Sequence, residues 1–133
     1  MRHSFIGVAL VVSGLSQAAA AEWVRIATSD DGRTYSVDAT RAPRIVGNRM
    51  QTWVQIDFSR DRTVSFRRAM QLWSFDCRAQ TEKVISSSTY DSYGRNVDSY
   101  SEPAYAADTG YEPVVPETIG DKVFSLVCAA ANN

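Results

Sequence analysis

The sharpest run of alternating apolar and polar positions is Trp73-Ser74-Phe75-Asp76-Cys77. Trp73, Phe75 and Cys77 share one face and Ser74 and Asp76 the other, which is the period-2 signature of a half-buried strand. Met50 to Phe58 reads the same way. Met50, Thr52, Val54, Ile56 and Phe58 line one side, and Gln51, Trp53, Gln55 and Asp57 the other. Trp23 to Thr28 and Arg33 to Asp38 are two more strands, joined by the turn Ser29-Asp30-Asp31-Gly32 as a hairpin. Ile45-Val46 is a short apolar piece before Gly47-Asn48. Val64 to Cys77 is expected as one long strand, bulged near Arg67-Arg68 where its alternation changes phase. Gln80 to Tyr90 and Asn96 to Ser101 form a second hairpin around Ser92-Tyr93-Gly94-Arg95. Residues 102–113 are irregular.

The period then changes. From Pro116 to Ala130, Ile119, Val123 and Val127 recur at i, i+4 and i+8, with Phe124 and Cys128 widening the stripe. A helix is predicted, with Pro116 and Glu117 in its first turn and Gly120 weakening it by roughly 1 kcal/mol relative to Ala. Short turns between strands and one terminal helix predict an α+β domain. It is a mainly antiparallel sheet with the C-terminal helix packed on one face.

The N-terminus sets the compartment. A basic start (Met1-Arg2-His3), an apolar run from Phe5 to Leu15 and Ala19-Ala20-Ala21 make a secretory signal peptide over residues 1–21. The apolar run is shorter than the roughly 20 residues that a stable membrane span needs, which disfavours an uncleaved anchor. Residues 22–133 remain as one domain of ordinary size, exported to the periplasm or secreted. In that compartment the two cysteines, Cys77 and Cys128, are most simply one disulfide. Two free thiols or a redox pair are the competing reading, although a catalytic pair is usually close in sequence.

Composition narrows the chemistry. The formal net charge is −1, so nothing global attracts nucleic acid or an anionic membrane. The only histidine is His3, inside the signal peptide, which removes the usual general base and most zinc sites from the mature chain. Neither a phosphate-binding loop nor a dinucleotide fingerprint is present, so neither a cofactor nor a metal is expected. Asp30, Asp38, Asp57, Asp76 and Asp91 fall at strand ends or turns, and nothing pairs them for two-carboxylate catalysis. A non-enzymatic role is expected.

Two groups could contact a partner. Five of the six tyrosines, Tyr90, Tyr93, Tyr100, Tyr105 and Tyr111, lie between residues 90 and 111. Tyrosine joins apolar area to a polar tip and suits a protein-binding surface, and it equally suits covering a sheet. Arg60, Arg62, Arg67 and Arg68 either meet an acidic partner or stand as solvated loop and edge residues. Trp23 and Trp73 are expected in the core. Trp53 packs under the helix or is partly exposed.

The order of these residues resembles a family. Trp23, Asp31-Gly32, Tyr35-Ser36-Val37-Asp38, Thr52-Trp53-Val54, the Trp73–Cys77 run, Tyr90-Asp91 with Gly94, Pro116 and Cys128 together resemble the surface-adhesin protein E-like domain of bacterial exported proteins. The resemblance spans nearly the whole of residues 22–133. It implies a sheet of about six antiparallel strands, a C-terminal helix against it, and Cys77 joined to Cys128. It also implies surface display, a host extracellular-matrix or plasma protein as partner, such as laminin or vitronectin, and a capacity to form a homodimer. The named member is a lipoprotein, whereas this chain has no cysteine near its cleavage site for a lipid. A structural or accessory periplasmic protein, homodimeric through an exposed strand edge, is the alternative to an adhesin.

Overall fold

The computed structural model describes residues 20–131 and Gly14; most of the expected signal peptide lies outside the described residues. The strands are β1 (Trp23–Thr28), β2 (Thr34–Asp38), β3 (Arg44–Val46), β4 (Arg49–Asp57), β5 (Arg68–Asp76), β6 (Thr81–Tyr90), β7 (Asn96–Ser101) and β8 (Glu112–Pro113). One helix, α1 (Ile119–Ala131), follows. All pairings are antiparallel, and the main path runs β1-β2-β4-β5-β6-β7. β3 pairs with the first residues of β4, beyond the reach of β2, and β8 pairs with the first residues of β6, beyond the reach of β7.

The fold is therefore the expected α+β arrangement of a sheet with one terminal helix on one face. The register of β4 against β5 places Met50 beside Phe75 and Val54 beside Gln71. Val54, Ile56 and Phe75 consequently face α1, where they meet Val123 and Val127 in a fully buried centre. Ala69, Met50, Val37 and Phe58 extend this core, and Trp73, Phe124 and Ile119 pack on its margin. Phe75 meets Phe124 edge-on at 5.9 Å between centroids, an arrangement favoured by the aromatic quadrupole.

Cys77 and Cys128 are bonded, with their Cα atoms 5.7 Å apart. Cys77 is the first residue after β5, at the start of the turn that closes at Gln80. The bond joins the end of the central strand to the last turns of the helix that covers it.

Three local expectations are corrected. The strand expected from Val64 begins only at Arg68. Residues 58–67 instead form a loop in which Val64 and Phe66 turn into the core, which explains the phase change. That loop is organised by buried Asp61. Its carboxylate accepts hydrogen bonds from the Thr63 hydroxyl at 2.5 Å, the Thr63 amide at 2.9 Å and Arg33 Nε at 2.8 Å. The Thr63 hydroxyl first, and Arg33 after it, hold the Asp61 carboxyl down at a pKa of about 2.

The helix begins at Ile119 rather than Pro116. Glu117 adopts a left-handed φ of 66°, which breaks the helical path. Thr118 then caps α1, its hydroxyl accepting the Asp121 amide at 3.2 Å, while Asp121 accepts the Glu117 amide at 3.0 Å. The third correction is Trp23. It pairs with Asp38 and lies in a groove with Trp53 and Met70, on the face opposite α1.

Reducing the Cys77–Cys128 bond is expected to lower stability by about 4 kcal/mol, the chain-entropy value for a closed loop of this length. The denaturant midpoint with and without reductant measures it, and Cys128→Ser should reproduce the loss. An unchanged midpoint would show that the bond does not hold α1 to the sheet.

Candidate binding surface

The β6–β7 hairpin and the segment 102–111 that follows it carry the most exposed aromatic side chains among the described residues. Tyr93 sits at the hairpin turn, 82 % exposed, and Tyr105 in a short 3₁₀ turn (Ala104–Ala106), 89 % exposed. The turn closes tightly because Gly94 takes a left-handed φ of 75° and Asp91 gathers the amides of Tyr93 and Arg95 at 2.9 and 3.0 Å. Arg95 also reaches back over the Tyr93 ring at 5.0 Å. Every residue of β7 is exposed, including Val97 and Tyr100, and its outer edge has no partner strand among the described residues.

The five tyrosines do not form one patch. Tyr100 pairs with Ser87, which pairs with Gln71, so it lies on the α1 side of the sheet. Tyr90 pairs with Arg68 on the opposite side, under the Arg68 guanidinium at 4.7 Å. Tyr111 is half-buried. Its hydroxyl is 2.7 Å from the Oγ of fully buried Ser74, and the Arg49 guanidinium stacks on its ring at 3.9 Å. Arg49 also lies 3.5 Å from Asp76 and 3.9 Å from Asp108. One strand over, Lys83 pairs with Glu102 and donates to the carbonyls of Ala106 at 2.8 Å and Thr109. Tyr111 and Lys83 thus clamp the segment carrying Tyr105 onto the sheet. The alternation at Trp73–Cys77 shows Ser74 pointing away from the core, but nothing in it shows a tyrosine 37 residues later arriving to bury it.

The basic group is also divided. Arg60 and Arg62 are exposed in the 58–67 loop, Arg67 donates to the carbonyls of Val64 and Phe66 at 3.3 Å, and Arg68 lies on Tyr90. The aspartates serve their own turns. Hydrogen bonds from Thr40, from the Ala79 amide and from the Arg95 amide respectively lower the pKa values of Asp38, Asp76 and Asp91. Asp57 accepts the Ser59 amide at 2.8 Å.

Sequence reasoning did not single out Glu82. It lies on the α1 side of β6, beneath Gly120 in the first turn of the helix. Its Oε2 is buried and has no hydrogen-bond partner among the described residues. Burial pushes the Glu82 carboxyl up, and the nearby charges of Glu112 and Asp121 push it further. A cavity of about 600 Å³ opens beside it. The one sequence signal was Gly120, a helix position that a stronger helix former would ordinarily fill.

A family model described as surface-adhesin protein E matches residues 23–129. Searches of curated proteins and of solved structures return no match. No helix among the described residues is long and apolar enough to cross a membrane.

Tyr111→Phe removes a hydroxyl bonded to a buried serine and is expected to cost about 1 kcal/mol in thermal unfolding. Tyr111→Ala also removes the ring beneath Arg49, so limited proteolysis should cut the 102–111 segment faster than in the parent. Equal cleavage rates would show that Tyr111 does not hold the segment.

Proposed function

The chain belongs to the surface-adhesin protein E family, and from that premise we propose an exported, non-enzymatic domain that captures a protein partner. The contact surface is the β6–β7 hairpin with the segment 102–111. The observation that carries this reading is the exposure of Tyr93 and Tyr105, two large amphipathic side chains held out on ordered turns. Tyrosine loses little conformational entropy on contact and supplies a polar tip, which suits it to anchoring a protein interface. In this reading Tyr93 and Tyr105 meet the partner, Tyr90 and Tyr100 border the surface from opposite faces of the sheet, and Tyr111 positions the segment that carries Tyr105. The partner class is a host extracellular-matrix or plasma protein, which the resemblance implies. The signal peptide at residues 1–21 would deliver the domain across the membrane, and the bonded cysteines suit an oxidising compartment.

Capture of laminin and vitronectin from solution by the immobilised domain tests the surface. Tyr93→Ala and Tyr105→Ala together are expected to weaken capture about tenfold or more. Capture equal to the parent for every partner would remove the hairpin surface from consideration.

The open edge of β7 favours a second reading, a homodimer formed by pairing of exposed strands. Sedimentation at increasing concentration should then show a dimer that Val97→Pro, at a main-chain amide on the outer edge, abolishes. A monomer at every concentration rules this reading out.

A further inference from the structure

The cavity beside Glu82 is separate from the hairpin tip. It is bounded by Trp73, Lys83 and Val84 from the sheet, by Val115 and Ile119 from the approach and first turn of α1, and by Gly110 and Glu112. About 600 Å³ of largely apolar space around one carboxylate has the size and make-up of a small-molecule site.

The charges acting on Glu82 are one-sided, although Lys83 also lines the cavity. Two buried side-chain polar atoms lack a hydrogen-bond partner among the described residues, Arg49 Nε and Glu82 Oε2. Arg49 has Asp76 at 3.5 Å and the Tyr111 ring under its guanidinium. Glu82 has no such compensation. The charges that act on it are Glu112 from β8 and Asp121 from α1, both negative. The neighbouring cation on its own strand, Lys83, is committed to Glu102 and two carbonyls. A carboxylate buried without a partner is costly, and the cost is relieved by protonation or by an arriving cation. Gly120 keeps the place open, because a Cβ there would collide with the Glu82 carboxylate.

We propose that this cavity binds a small alkyl- or arylalkyl-ammonium ion, its ammonium paired with Glu82 and its apolar body against Trp73, Val84, Val115 and Ile119. An anion is disfavoured by all three carboxylates, and a neutral analogue gains the apolar contacts without the ion pair. The occupant is thus set by charge and by size together.

The test uses 2-phenylethylammonium and hexylammonium with their alcohol analogues, 2-phenylethanol and 1-hexanol, titrated at neutral pH. The Trp73 indole N–H resonance and calorimetry report binding. The amines should shift that resonance and bind about tenfold more tightly than the alcohols, the margin of one ion pair in a largely apolar site. Glu82→Gln should abolish the margin while leaving alcohol binding unchanged. Should Glu82→Gln not fold, Gly120→Ala serves, since it displaces the carboxylate and should narrow the same margin. Alcohols binding as tightly as amines would overturn the proposal. So would a margin that survives loss or displacement of the carboxylate, or amines that shift surface resonances and leave Trp73 unmoved.

Discussion

One helix of 13 residues has to cover a sheet of eight strands, and the remainder of the structure follows from how that is managed. α1 is too small to seal the whole inner face. It covers the middle of it, where Val123 and Val127 meet Val54 and Phe75 with no exposure at all. A contact of that size is a small share of the apolar area a domain needs to bury. The Cys77–Cys128 bond compensates by tying the far end of the helix to the end of β5. Loop closure of this length is worth roughly 4 kcal/mol against a usual net stability of about 5–15 kcal/mol, so the bond carries a large part of the balance.

The near end of the helix has no such bond, and it is where the structure is open. Thr118 and Asp121 satisfy the first amides by capping, but the helix stands over Glu82 rather than over an apolar side chain. β7 and β8 both pair with β6 and leave a gap between them, and Lys83 and Val84 within that gap line the cavity.

Much of this was legible in the chain. The alternation in β4 and β5 placed the inner face correctly, and the i, i+4, i+8 spacing of Ile119, Val123 and Val127 placed the helix over it. Periodicity works there because each side chain's face is decided by its own neighbours in sequence. It fails where distant residues decide. Trp23 and Trp73 look alike locally, yet Trp73 packs on the core and Trp23 lies across the sheet from it, because the register of β1 sets Val24, not Trp23, beside core residue Val37. Ser74 reads as a solvated position and is fully buried, because Tyr111 covers it. Val64 and Phe66 reproduce a strand pattern while lying in a loop, because Asp61 folds that loop back onto the core. The helix start was misplaced by a left-handed residue, Glu117, whose type gives no sign of it.

Glu82 and Lys83 show how far alternation alone can carry a functional argument. They are adjacent, opposite in charge and close enough to pair in a flexible chain, but a strand sends successive side chains to opposite faces. Their charged ends therefore diverge although both residues line the cavity, and each charge is answered by its own neighbours. On the outer side Lys83 is answered fully, by Glu102 and by the backbone of the segment it anchors. On the inner side Glu82 meets two further acids and a glycine. If the part-buried carboxylate served packing alone, a leucine at this position would serve better, since it leaves no polar atom unpaired beneath the helix. The imbalance is thus poorly explained as architecture and well explained as one half of an ion pair whose other half is a ligand.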